Sequence, residues 1–322
     1  MNSVLLTGAG FTYSLTGTYL AKDIKNHLIT KLKVKDDAQE VLKELNMSSY
    51  EVVYQMACID KSIKGGANLA VAMHEVYGEM EGQIVNNYWA EYQKNQNDIK
   101  HPQNKFKRFL SKCIAKNQEF YFFTTNQDRF IESSVFGIDR YPNHNYLGLI
   151  DNDIDKMKTP DIKLKKVSEI INKGNKIKSI IPYKISENFH KTPRSLNYVK
   201  LHGSYLWYDY NDTNVMVIGS EKTNAIKKWG LLKYYFDVFG NEISRPNTSL
   251  ITIGYSFGDV HINEIIASAI DKHGLSLIIF NPILKDELNN KIGKNSVSKG
   301  LKAHYQDFKE VLVNDKILEM FN

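Results

Sequence analysis

The stretch running from Leu250–Tyr255 through Val260–Lys272 to Leu275–Phe280 constrains this chain more than any other. It reads as strand, helix, strand. Strands joined in that way lie parallel, because only antiparallel neighbours can close on a tight turn. A parallel sheet is covered on both faces, so helices are expected above and below it. Further strands are expected at Ser3–Thr7, Glu119–Thr125, Asn197–Leu201 and Val215–Ile218, and helices at Phe11–His27, Asp128–Phe136 and Leu301–Val311. The expected fold is α/β, a Rossmann-like parallel sheet with helices on both faces.

Two segments break the alternation. Over residues 30–117, Val41, Leu42 and Leu45, then Val52, Val53, Met56 and Ile59, then Ile84, Tyr88 and Tyr92 recur at helical spacing. This span reads as a helical insertion. Residues 151–195 read as a second, Lys-rich insertion, in which Val167, Ile170 and Ile171 suggest one amphipathic helix. No internal repeat or long low-complexity tract divides the chain, so residues 1–322 read as one domain.

Composition narrows the class. Of 322 residues, 42% are hydrophobic and 24% charged, enough apolar surface for an ordinary core. A formal charge of +6 with scattered lysines gives no footprint for direct nucleic-acid binding. Cys58 and Cys113 are the only cysteines and cannot build a four-cysteine zinc site; so low a count fits a reducing compartment. No stretch approaches the length of a membrane span, and Met1–Gly10 lacks the basic lead of a signal peptide. A cytoplasmic protein with no membrane partner is expected.

The polar residues gather at expected strand ends. Gly8-Ala9-Gly10, between a strand and a helix, can cradle a pyrophosphate through backbone N–H groups and the positive helix end. A structural turn explains it equally well. Tyr13 stands where the dinucleotide fingerprint needs a third glycine, and no strand ending in a ribose-binding carboxylate follows. An ordinary NAD dehydrogenase is therefore disfavoured. Thr124-Thr125-Asn126-Gln127-Asp128 closes an aromatic strand; Asn126 either turns the chain or serves chemistry, and Asp128 either caps the next helix or joins it. His202, followed by Gly203, is either a general base or a histidine beside a turn. Gly254 and Ser256 suit phosphate or ribose contacts, Asp259 a helix cap or ribose acceptor, with Asn263 one turn on, and Asn281 ends the last strand. Open α/β sheets bind ligands beyond the carboxyl ends of their strands. Four polar strand ends point to one ligand site.

Taken in order, these motifs resemble the sirtuin (silent information regulator) family. Gly8-Ala9-Gly10-Phe11-Thr12 is similar to its Gly-Ala-Gly opening with a following hydroxyl residue, and Thr124/Thr125-Asn126-Gln127-Asp128 to its Thr-x-Asn-x-Asp box. His202-Gly203, Gly254-Tyr255-Ser256 and Asn281 are similar to its His-Gly pair, its late Gly-x-Ser element and a strand ending in Asn. Gly-Tyr-Ser-Phe-x-Asp with Asn263 looks closest to sirtuin-like proteins of bacterial antiphage defence. The chain departs from the deacylases: it has no two Cys pairs for a zinc ribbon, and Tyr13-Ser14-Leu15-Thr16-Gly17 replaces the usual continuation of the first loop.

The resemblance implies that NAD is the substrate and that no metal is needed. It implies that Asn126 orients the nicotinamide-side ribose and the attacking water, Asp128 holds that loop, and His202 acts as general base. Gly8, Ala9, Gly10 and Thr12 would hold the pyrophosphate with Ser256 nearby, Asn281 would meet the adenosine ribose, and Phe11, Thr125, Gly254, Asp259 and Asn263 would complete the NAD-binding set. The products would be nicotinamide and ADP-ribose, made by an antiphage effector that depletes NAD. Control would come from homo-oligomerisation, or from a phage-sensing partner such as a ring-forming helicase-like ATPase. A protein deacylase, an ADP-ribosyltransferase and a non-catalytic module sensing NAD or ADP-ribose stay open.

Overall fold

The computed structural model describes residues 2–17, 21–95, 98, 101–116, 119–128, 130–131, 144–146, 179–180, 195–208, 214–219 and 222–313. Seven strands form one sheet: β1 (Asn2–Thr7), β2 (Glu119–Thr124), β3 (His144–Tyr146), β5 (Ser195–Lys200), β8 (Thr248–Ile253), β9 (Ser276–Phe280) and β10 (Leu301–Tyr305). Their order is β10-β9-β8-β1-β2-β5-β3, and every pairing is parallel. From β1 the chain first builds outward through β2 and β5, then returns to the other flank of β1 as β8. The strand order reverses between β1 and β8, which is where such sheets open a crevice.

Alternation along the strands fills two cores. Val4, Leu6, Tyr121, Phe123, Val199 and Leu250 face one side, packing on helices α8 (Gly230–Ile243) and α9 (Val260–His273). Leu5, Phe120, Phe122, Tyr198 and Ile251 face the other, with Phe11 of α1 (Ala9–Thr16), Phe106 and Phe109 of α6 (Pro102–Lys116) and Phe308 of α12 (Phe308–Val313). The central strands β1, β2 and β8 are buried on both faces over most of their length, which is why their inner residues are largely apolar.

Between β1 and β2 the described residues form no strand. They fold into α2 (Ala21–Leu32), α3 (Gln39–Met47), α4 (Tyr50–Tyr54) with a following π-helical turn, the 30-residue α5 (Gly66–Asn95), and α6. Leu28, Val41, Leu45, Val53, Leu69 and Met73 bury one another in a third core, apart from the two on the sheet. It is closed by Tyr205 and Met216 from a small second sheet of β4 (Ser179–Ile180), β6 (Gly203–Tyr208) and β7 (Asn214–Met216). No helix among the described residues is long and apolar enough to cross a membrane.

Three expectations need correction. Phe11–His27 is not one helix: α1 stops at Gly17, which takes the left-handed conformation (φ 71°) and donates its N–H to the Tyr13 carbonyl, and α2 starts afresh at Ala21. Leu301–Val311 is not one helix either. Leu301–Tyr305 is strand β10 beside β9, its apolar residues alternating with Lys302 and His304, and α12 follows. Of the expected strand Val215–Ile218, only Val215 and Met216 lie on a strand, β7, which is in the small sheet rather than the main one. The helices α7 (Lys222–Lys228) and α8, with strand β6, went unread. Of the expected helix Asp128–Phe136 only Asp128, Phe130 and Ile131 are described, and the Lys-rich span 151–195 lies outside the described residues except Ser179–Ile180 and Ser195.

Candidate active site

Strand register sets the floor of the site. Thr7 pairs with Thr124 and Ile253, Thr124 with Lys200, and Ile253 with Phe280, so the carboxyl ends of five strands form one level row. The loops that leave this row ring a cavity of about 920 Å³, within the usual range for small-molecule sites. Gly8, Ala9, Gly10 and Thr12 line it from the β1 loop, and Thr125, Asn126 and Asp128 from the β2 loop. His202 lines it from the end of β5, Gly254, Ser256 and Asp259 from the β8 loop, and Asn281 from β9. Of the residues singled out from the sequence, Phe11 and Asn263 stand back from it. Phe11 is fully buried against Phe106, Phe122, Phe130 and Phe308. Asn263 accepts a hydrogen bond from the Tyr255 hydroxyl and donates one to the Phe257 carbonyl, bracing the β8 loop from behind.

Asn126 is held in place from two directions. Its backbone N–H donates to Thr124 Oγ1 at 3.1 Å, and its Nδ2 donates to Thr12 Oγ1 at 2.9 Å. Its Oδ1 is buried and accepts nothing among the described residues. Asp128 does what a capping residue does: Oδ1 accepts from the Phe130 N–H at 2.9 Å, while its carbonyl takes the Lys200 ammonium. Gln127 ties the loop outward, accepting from the Tyr77 hydroxyl of α5 at 2.7 Å and donating to the Val217 carbonyl.

Opposite Asn126 lies a charged cluster. His202 is buried, 4% exposed, and its Nε2 is 3.4 Å from Nε2 of His261 and 3.9 Å from Oδ1 of Asp259. Burial pushes the His202 imidazole down to about 3; Lys222 and His261 add to the push, and Asp259 opposes it. The ring is therefore neutral near pH 7, and His261 is lowered as well, again through burial. Burial works to raise Asp259, but its carboxyl lies below the ordinary value. With His202 neutral, the charge responsible is the Lys222 ammonium, 2.8 Å from Oδ1. Lys222 also reaches Glu51 of α4 at 3.0 Å, so one ammonium joins the first turn of α9 to the helical unit.

The glycines serve loop-to-loop packing. Gly254 has φ +60°, and a Cβ there would stand 2.1 Å from the Phe11 nitrogen and 2.3 Å from the Gly10 carbonyl carbon. A Cβ on Gly8 would meet the Gly254 oxygen at 2.7 Å, and one on Gly10 would meet its Cα at 2.9 Å. The Gly10 N–H donates to the Gly254 carbonyl at 3.1 Å, clasping the two loops. No side chain caps α1; in its first turn the Gly10 N–H donates to the Gly254 carbonyl and the Phe11 N–H to the Gly8 carbonyl, while Ala9 and Thr12 line the cavity. Both groups of the Asn281 amide are engaged: Nδ2 donates to the Tyr255 carbonyl and Oδ1 accepts from the Ile283 N–H, which makes it another brace of the β8 loop.

Glu51, Tyr77, Lys222 and His261 were not singled out from the sequence. The first three come from helices whose place over the strand ends no local pattern announces. His261, two residues past Asp259 in the opening turn of α9, was within reach of the motif beside it.

A family model described as the SIR2-like domain matches residues 121–291. The matched span holds the loops of Asn126, His202, Gly254–Asp259 and Asn281, and begins after the Gly8–Thr12 loop and the helical unit. No curated protein matches the chain. The match covers more than half of the 322 residues and lies on a parallel sheet whose strand ends share one cavity, and on these grounds the chain belongs to the SIR2-like family, whose members use NAD.

Proposed function

We propose that the chain is a NAD glycohydrolase, which binds NAD over the row of strand ends and cleaves the bond between nicotinamide and ribose. One observation carries this reading: Oδ1 of Asn126, buried at the cavity and without a partner among the described residues while the rest of that amide is fixed. Leaving a buried acceptor unsatisfied costs about 1–3 kcal/mol, which a ribose hydroxyl or a water donating to it would offset. Neutral His202 supports the same reading, since only an uncharged imidazole can accept a proton from that hydroxyl or water. Nicotinamide leaves as a neutral molecule from a cationic precursor, so no acid is required. Charge develops on the ribose as in glycoside hydrolysis. The positive end of α1, with Ala9 and Thr12 at the cavity, suits the pyrophosphate. Gln127 and Asp128 keep the Asn126 loop in position.

The test uses the purified chain and NAD alone, reading nicotinamide release. Release without any acyl-lysine peptide is expected, and Asn126→Ala should lower it by about 100-fold or more, the scale for losing one aligned polar group. A requirement for the peptide would point instead to a deacylase, and an unchanged rate in Asn126→Ala would remove the reading. Unchecked NAD loss kills a cell. We therefore place the activity in antiphage defence, at a low basal rate in the isolated chain that rises when it assembles with itself or with a phage-sensing partner such as a ring-forming ATPase.

A further inference from the structure

His202, Asp259 and His261 present one ligand atom each, all within 4.8 Å of one another. The two Nε2 atoms face each other at 3.4 Å. Two imidazole nitrogens bound to one tetrahedral zinc, each about 2.05 Å from it, stand about 3.3 Å apart. The observed separation already matches that edge, and Asp259 Oδ1, 3.9 Å from His202, needs only a small side-chain adjustment to close the third. The three side chains come from two rigid places, the end of β5 and the first turn of α9. Two imidazoles and one carboxylate form a donor set that zinc accepts.

We propose that His202, His261 and Asp259 form a binding site for a divalent transition-metal ion, zinc above all, that shuts the pocket when filled. Three protein ligands leave a fourth position, which opens on the cavity because His202 and Asp259 both line it. The ion would take the His202 lone pair, the one that accepts a proton in the NAD reading, and the inhibition half of the proposal rests on that reading. A dication there also opposes the positive charge that develops on the ribose. Lys222 guards the site, its ammonium being 2.8 Å from the Asp259 oxygen that the metal needs. It has a second partner to retreat to, Glu51 at 3.0 Å.

The experiment takes the full chain, tag-free and stripped with chelator, and titrates it with cobalt(II) alone. The expected result is one cobalt per chain with the visible bands of tetrahedral coordination, displaced by added zinc. His261→Ala and His261→Asn, checked for folding by circular dichroism, should both weaken cobalt binding by about 10-fold or more. Lys222→Met should tighten it, because the competing ammonium is gone. Saturating zinc should slow nicotinamide release at least ten-fold in the wild type, and His261→Ala should need far more zinc for the same fractional loss relative to its own zinc-free rate. Cobalt binding that is absent, or indifferent to the His261 variants, overturns the site. Turnover that saturating zinc leaves unchanged overturns the inhibition. A chain that binds cobalt through these residues but never releases nicotinamide keeps the metal site and rejects the NAD reading instead.

Discussion

Asn126 and His202 show how a residue acquires a chemical role from its surroundings. An amide on a strand end is ordinarily a turn former, and a lone imidazole ordinarily a packing residue. Burial, with the neighbouring Lys222 ammonium, keeps His202 free of a proton until pH falls to about 3. Two outcomes follow, both in metal-free buffer with chelator. The kcat/KM for NAD should stay level from pH 8 to pH 5, with no inflection near 6.5; a fall centred there would show that the imidazole titrates normally. Stability should behave differently. Between the unfolded value near 6.5 and about 3, the unfolded chain holds a proton that folded His202 does not, so stability declines as pH drops through that window. His202→Asn lacks this penalty and should gain on the wild type by about 3 kcal/mol near pH 4, read from denaturant melts. The sequence offered both residues as candidates. It could not show that imidazole and ammonium share a pocket, because α7, which carries Lys222, has no pattern linking it to β5.

Among the elements, the β1 and β8 loops depend on each other most. Gly254→Ala puts a methyl group where the Phe11 nitrogen lies and forces a left-handed backbone on alanine. A loss of about 3 kcal/mol or more in chemical denaturation is expected, set mainly by the clash, since the left-handed conformation alone costs only about 1–2 kcal/mol. Gly17→Ala, which meets nothing within 4 Å, should cost no more than the backbone part. Equal losses would mean that the interlock is not what holds the loops. The parallel strands were legible because β1, β2 and β8 are buried on both faces over most of their length and carry short clusters of apolar residues. β10 was not. It lies at the sheet edge, half exposed, and Leu301, Ala303 and Tyr305 are too sparse to stand out from a helix. Gly203, next to His202, takes φ +68° to turn β5 into β6, where a Cβ would strike the Val215 oxygen at 2.1 Å.

At the scale of the whole molecule, a helical unit with its own apolar core leans over the strand ends of an α/β sheet. Tyr77 and Glu51 carry it to the cavity through Gln127 and Lys222. Helical periodicity announced that these helices exist. Their position above the pocket was illegible, since it depends on Tyr205 and Met216 from the small sheet, over 100 residues along the chain. On the proposed function, expression together with the proposed activating partner should arrest growth and lower cellular NAD, and Asn126→Ala should abolish both. Arrest that persists in that variant with NAD intact would assign the toxicity to something other than cleavage.

The clasp of Gly8, Gly10 and Gly254 also bears on how such a protein can diverge. Each of these positions is empty of side chain because the opposing backbone fills the space. A first mutation at any of the three meets main chain, which no single compensating change can move aside. That part of the lining is closed to stepwise change, and new ligand preferences have to be written on the helical lining, among Ile24, Tyr50 and Met80.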